Sequence, residues 1–238
     1  MTQEQGPARR KYLDSLQTHG TWLYGVIISL VLREALVRIV PRLFSPPITA
    51  TISQLSLEAC RLCLLITVLV RFFFGSVKYF GASRLPDDAA DDIVEKSLTR
   101  FAGDFSLGLV HFLVFFMAAA VLDQHARLTR AQLSVFQLVL IFVLSYDLIW
   151  YFLIKASRDS FLVRRWAFLN TFTVLLLLLL HCLLLLVFEA TAEVTELLSF
   201  APLAFVSIVD IRQLFLDRET FAKFFNYFWK EDPPGTGS

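Results

Sequence analysis

No stretch of this chain is both long and polar enough to fold apart from its apolar runs. The widest gap between such runs is Gly81–Arg100, and a segment that short cannot bury a core of its own. A separate soluble domain is therefore excluded. Cysteine is scarce, and the three present, Cys60, Cys63 and Cys182, all fall inside apolar runs. That excludes a disulfide framework. Cys60 and Cys63 form a CxxC with no accompanying ligands, and a buried thiol behaves as a small hydrophobe. No metal and no cofactor is expected. Neither sign of charge dominates, with 22 Lys+Arg against 21 Asp+Glu, which argues against a nucleic-acid partner. Catalytic signatures are missing as well: there is no GxSxG, HExxH or Walker-type loop, and no catalytic residue is assigned. No run carries a lysine placed for a retinal Schiff base, since Lys78 and Lys155 sit at run ends. No run repeats arginine at every third position as a voltage sensor does, and the potassium-filter sequence TVGYG is absent.

What is present is apolar. Hydrophobic residues make up 56% of the chain and mean hydropathy is +0.63. A membrane-spanning helix needs ~20 mainly apolar residues. Candidates lie at Thr21–Phe44, Leu55–Phe80, Phe101–Leu122, Gln132–Ile154, Ala167–Phe188 and Glu196–Phe215. The expected fold is an all-α polytopic integral membrane bundle of about six spans, residues 21–215, preceded by a 1–20 segment and followed by a 216–238 tail. Basic residues crowd alternate gaps. Arg9, Arg10 and Lys11 precede the first run. Lys78, Arg84, Lys96 and Arg100 lie between the second and third, and Lys155, Arg158, Arg164 and Arg165 between the fourth and fifth. Arg212, Arg218, Lys223 and Lys230 close the chain. The opposite gaps hold only Arg42, Arg127 and Arg130. Basic loops stay cytoplasmic, so six spans place both termini and the 81–100 loop in the cytoplasm of a multi-pass protein, in a cell inner or plasma membrane. The first 20 residues lack the apolar core of a cleavable signal, so the first run is expected to act as an uncleaved anchor.

Within the runs lie charges, and an ionisable group at mid-membrane costs at least ~2.5–3.5 kcal/mol on insertion scales. They fall in two layers. The outer layer is Arg33, Glu34 and Arg38 in the first run with Glu58 and Arg61 in the second. The inner layer is Arg71, Asp147, Asp104, Asp210 and His111, with Asn170 nearby and Arg71–Asp147 as the first expected pair. Asp104, Gly108 and His111 share a helix face. A haem would need His111 and His181 at one depth, and the two differ by a turn or more. Such charges either lock helix packing or line a pathway.

The remaining features lie at the ends and breaks. Pro41 is expected to kink or end the first run, and Ser45-Pro46-Pro47 breaks the chain after it. Asp87, Asp88, Asp91 and Asp92 form a helix start, acids favouring the N-terminal dipole, without the spacing of a calcium loop. Phe221, Phe224, Phe225, Phe228 and Trp229 form an amphipathic stripe suited to the membrane interface, ahead of a Pro/Gly tail expected to be disordered. The fifth run, a leucine tract around His181 and Cys182, reads as a lipid-facing anchor.

The leading functional expectation is a small homo-oligomeric ion channel or transporter-like pore, its pathway lined by the two charged layers. The alternative is a non-conducting scaffold or sensor subunit that presents 81–100 and 220–229 to a cytoplasmic protein. A minor alternative is a lipid-modifying enzyme built on Asp147 beside Trp150 and Tyr151, or on the Asp104/His111 face.

Overall fold

In the computed structural model the chain is all-α. The structure describes residues 5–47, 51–82, 91–128, 132–153 and 161–216, with side chains for most of them. Among the described residues seven helices follow in order: α1 (Gln5–Phe44), α2 (Ile52–Ala82), α3 (Asp91–Ala120), α4 (Val135–Leu153), α5 (Phe161–Leu186), α6 (Ala192–Ser199) and α7 (Ala201–Leu216). The described residues contain no strand beyond one isolated antiparallel bridge, Arg127 to Ser134, in the α3–α4 connection. Residues Asp87 and Asp88 and the whole aromatic stripe at 220–229 lie outside the described residues. Helix α3 does begin at Asp91, where the acidic run was expected to open a helix.

Among the described residues, five stretches are long and apolar enough to cross a membrane: Ile52–Tyr79, Ile93–Ala120, Val135–Leu153, Arg164–Leu186 and Ala192–Gln213. The chain thus has the character of a multi-pass helical membrane protein. The first expected run, Thr21–Phe44, is helical but is not among the five. It is part of the 40-residue α1, and Arg33, Glu34, Arg38 and Arg42 make it less apolar than the others. Its packing is nonetheless that of a bundle member. Gly20 lies against Phe101, Gly25 against Phe73, and Arg42 reaches Glu58 with Nη2 at 2.7 Å. From Gly20 to Arg42 is ~33 Å at helical rise, so α1 runs beside much of α2 and α3. Pro41 does not end it early. The proline sits in the last turn, its carbonyl accepts from Ser45 N at 2.8 Å, and the helix closes at Phe44.

The helices close into a ring. α1 packs on α2 and α3, α3 on α4, α4 on α5, α5 on α6 and α7, and α7 back on α2. Capping boxes start two of them. Thr51 N bonds Gln54 Oε1 at 3.1 Å and Gln54 N bonds Thr51 Oγ1 at 3.3 Å. Ser134 and Gln137 make the same reciprocal pair at 2.9 and 3.1 Å before α4, each satisfying orphan donors of a helix start. The sixth run is broken rather than continuous. Phe200 separates α6 from α7, because Pro202 has no N–H to continue the ladder and its ring would meet the preceding turn.

Apolar residues also cover the outside. On α5, Leu175, Leu179 and Leu186 are exposed, as are Leu113 and Met117 on α3 and Phe205 and Ile208 on α7. In lipid such a surface needs no further cover. The fifth run is only half an outer anchor: its other face buries Asn170, Leu177 and His181. Inside, aromatic rings fill the space between α1, α2 and α3. Tyr24 lies 4.9 Å from Phe112, and Phe72 lies 5.4 Å from Phe112 and 5.3 Å from Phe115, centroid to centroid.

Two glycines let helices approach this closely. A Cβ on Gly75 would fall 2.0 Å from Trp166 Cζ2, and one on Gly108 would fall 2.1 Å from the Tyr24 hydroxyl. The Trp166 ring is rigid, so α2 and α5 must separate to admit a methyl. Gly75→Ala should therefore cost ~1–3 kcal/mol by overpacking. Gly25→Ala, whose nearest neighbour would be 3.8 Å away, should leave stability unchanged. Thermal unfolding of the two variants in one detergent checks this, and equal midpoints would refute the close α2–α5 contact.

Candidate functional site

The polar residues of the bundle interior form three layers, set by where α2 places Arg61, Arg71 and Tyr79. At helical rise these are ~15 Å and then ~12 Å apart. Each meets groups from helices across the ring.

The layer nearest the α1–α2 turn is built on Arg61, which is fully buried. Its Nε donates to Glu196 Oε1 at 2.7 Å. Its Nη1 donates to the carbonyls of Leu122 and Gln124, each at 2.8 Å. Glu196 also accepts from Ser134 Oγ at 2.8 Å and pairs with Arg127 at 3.0 Å. Beside it, Arg42 forks onto Glu58 at 2.9 and 2.7 Å, and His125 Nε2 lies 2.9 Å from the same carboxylate. Gln137 joins the layer, its Nε2 donating to Ser199 Oγ at 3.0 Å and lying 3.2 Å from His181 Nδ1.

This differs from the single outer cluster expected from the sequence. Glu58 and Arg61 do not pair with each other, though they share a face of α2. Glu58 turns to α1 and Arg61 to α6, because α2 sits between those two helices in the ring. Arg38 pairs with Glu34 one turn back at 2.7 Å and approaches Asp123 at 3.9 Å. Arg33 is exposed and makes no ion pair among the described residues.

The layer at the opposite end is centred on Asp104, expected in the same layer as Arg71. It lies about two turns beyond His111 along α3 and belongs to a separate group. Tyr79 donates its hydroxyl to Asp104 Oδ2 at 2.7 Å, and Trp150 donates Nε1 to Oδ1 at 2.8 Å. Arg100 reaches the carboxylate at 3.5 Å and donates to the Tyr79 hydroxyl at 2.9 Å. The Asp104, Gly108 and His111 face does not act as one site either. Gly108 meets Tyr24 of α1, while the flanking polar residues turn to α2 and α4.

Between these lies the middle layer. Arg71 does not pair with Asp147. Its Nε donates to Asp210 Oδ2 at 2.6 Å, and Arg165 holds the other oxygen of Asp210 at 3.0 Å. The reason is the ring: α2 packs on α7, whereas α4 packs on α3 and α5. Asp147 instead accepts a hydrogen bond from the Asn170 amide of α5. His111 lies among Phe72, Phe115 and Tyr146, with centroids 4.5, 5.0 and 4.6 Å away. Its Nε2 sits 2.8 Å from the Val143 carbonyl, and since a carbonyl only accepts, that nitrogen carries the hydrogen. Arg71, His111, Asp147 and Asn170 border one small cavity, closed in by Val68, Phe72 and Trp166. Its room for water centres is about 20 Å³, enough for about one water.

Glu196, Gln137, His125 and Arg127 carry much of the first layer and were not singled out in the sequence. The Ser134-x-x-Gln137 capping box was a readable signal; the partner of Glu196, on a helix 135 positions away, was not. Cys60 and Cys63 are free thiols. Among the described residues no group of three His, Cys, Asp or Glu side chains could hold a metal ion. No protein-family model, curated protein or solved structure matches the chain.

Removing one partner of a buried ion pair leaves a bare charge and costs ~3–5 kcal/mol. Arg71→Ala should therefore destabilise strongly, and adding Asp210→Asn should recover part of the loss. Adding Asp147→Asn should recover less. A double-mutant cycle on detergent unfolding midpoints checks the assignment; greater rescue through Asp147 would overturn it.

Proposed function

We propose that this chain is a transporter-like membrane protein whose pathway runs through its own ring of helices. The observation that carries this reading is the small cavity bordered by Arg71, His111, Asp147 and Asn170, which lies between two hydrogen-bonded layers. Intramembrane ionisable groups face cavities, partners or pathways, and this arrangement has the first two. The Arg61–Glu196 layer closes one side of the site and the Asp104–Tyr79–Trp150 layer the other. Alternating access needs such a site with two barriers, only one of which opens at a time. In this reading the described geometry is the occluded state. Because the site lies within one chain, homo-oligomeric assembly is not required for it.

The orientation follows from charge. If α1 crosses with the five apolar stretches, the basic segments fall on one face. That places both termini in the cytoplasm of an inner or plasma membrane and makes the Asp104 layer the cytoplasmic barrier.

One observation favours the second reading, a non-conducting scaffold or sensor subunit. Nearly every interior charge finds a partner within the same chain, so the ion pairs can serve only to fix helix register. The segments such a subunit would present, 81–100 and 220–229, are then its docking surface for a cytoplasmic protein.

Reconstitution separates the two. The full chain in liposomes should carry ion or proton flux. Asp104→Asn and Glu196→Gln, each weakening one barrier, should change the rate per folded molecule by several-fold, and Glu196→Gln, which strips Arg61 of its carboxylate, should also lower stability. Absence of flux across pH, voltage and both ion signs, from protein shown to be folded, would transfer the assignment to the subunit reading. That reading predicts a partner in a mild-detergent pulldown, lost on deleting residues 220–238.

A further inference from the structure

We infer that Asp147 is an intramembrane proton-binding site, which makes the proton a species that the central site handles. This rests on the transporter-like reading and supplies its ligand.

Asp147 stands apart from the other buried interior carboxylates. Glu58 has Arg42, Glu196 has Arg61 and Arg127, Asp104 has Arg100, and Asp210 has Arg71 and Arg165. Asp147 is only 7% exposed, and its hydrogen-bond partner is the neutral amide of Asn170. None of the described residues forms an ion pair with it. A buried carboxylate without a direct countercharge is costly, and protonation removes that cost.

The surrounding charges keep both forms accessible. From α2, Arg71 faces the same cavity. From α3 comes His111, whose Nε2 hydrogen is donated to the Val143 carbonyl. From α5 come Asn170 and, further along, Arg165. From α7 comes Asp210, which binds both arginines. Two cations against one carboxylate leave this group positive, so an ionised Asp147 balances its charge at a distance. Protonated, Asp147 gives up that attraction but sheds its own desolvation. A group caught between two opposed terms changes state with small movements of its neighbours.

The cavity supplies the connection. Arg71 Nη2, His111 Nδ1 and Asn170 Oδ1 are buried atoms with no hydrogen-bond partner among the described residues, and all three residues border the cavity. They are one donor and two acceptors. A water donates twice and accepts, so it complements this set in a space sized for about one. The chemistry is a proton transfer only. A hydronium gives its proton to the Asp147 carboxylate and leaves as water. The acid returns the proton to water when the site opens to the other side.

The test reads the carboxyl itself. The full chain, in lipid bilayers and with its aspartates carbon-13 labelled, is followed by infrared spectroscopy over a pH titration. The wild type should show a protonated-carboxyl carbonyl band that shifts with the label and is lost as pH rises. The band should be missing in Asp147→Asn. In Asp147→Glu an acid band should remain that no longer responds to aspartate label, which decides the matter if the Asn variant does not fold. No labelled acid band at any pH, or one that survives in Asp147→Glu, overturns the inference. Because this readout needs no transport, a titrating band without proton flux keeps the site and overturns the transporter-like reading. Flux without the band does the reverse.

Discussion

The Arg61–Glu196 pair is the constraint on which the rest of the bundle depends. Neither side chain exposes any surface. A guanidinium in that position has to satisfy its donors internally or not form at all. Arg61 places its Nε and Nη1 on one carboxylate and two carbonyls, those of Leu122 and Gln124. Those partners sit on two separate pieces of chain: α6 and the α3–α4 connection. Satisfying one residue of α2 therefore fixes where two other segments lie. Arg127 and Ser134 close the same carboxylate, which explains why the connection bridges Arg127 to Ser134 instead of running free. Ser134 then starts α4 through its capping box with Gln137. The register of α4, and with it the depth of Asp147 and Trp150, follows from a charge pair that α2 and α6 supply.

Much of the fold was legible because membrane insertion writes itself in composition. The apolar runs and the basic gaps are one-dimensional signals, and the helix positions followed them. The failures occurred where three-dimensional neighbours decide. Glu58 and Arg61 share a face of α2, and helical spacing alone put them in one cluster. Only the ring order shows that the helix is flanked by α1 on one side and α6 on the other, so the two residues part. Arg71 and Asp147 were matched by depth, and depth was right, since both border one cavity. Depth does not say which helix is adjacent, and α7 rather than α4 supplies the partner. Asp104 was misplaced for a simpler reason: its layer was judged from position near a helix start, while Tyr79 and Trp150, neutral residues, define that layer. The break at Phe200 could have been read from Pro202.

The three layers differ in slack. In the first, two arginines and a serine surround one carboxylate, and a second carboxylate is forked by Arg42. In the third, Asp104 accepts from a phenol and an indole and lies near a guanidinium. In both, each carboxylate has a cationic partner, although Arg61 Nη2, Arg127 Nη2, Glu196 Oε2 and Arg100 Nε make no hydrogen bond among the described residues. The middle layer also keeps three unpartnered atoms, and it holds a carboxylate, Asp147, whose hydrogen-bond partner is neutral. Packing does not force this. The same cavity is walled by Val68, Phe72 and Trp166, and a leucine in place of Asn170 or Asp147 would fill it.

That argument also bears on α1. Its charges weaken it as a stand-alone membrane segment, yet two of them are answered: Arg38 by Glu34 and Arg42 by Glu58. Within the run 21–44 Arg33 is exposed, and a long arginine side chain can extend toward an interface while its stem stays in apolar surroundings. The apolar count alone therefore underrates α1, because it charges each ionisable residue as if unpaired. Without α1, Glu58 would lose its forked partner, and Tyr24 would leave Gly108 and Phe112 uncovered. The ring would then open beside Phe72 and His111, one wall from the central cavity. A closed site in this chain requires α1 to lie along the bundle for its whole length, and the price in charge is offset by pairs that only the folded bundle provides.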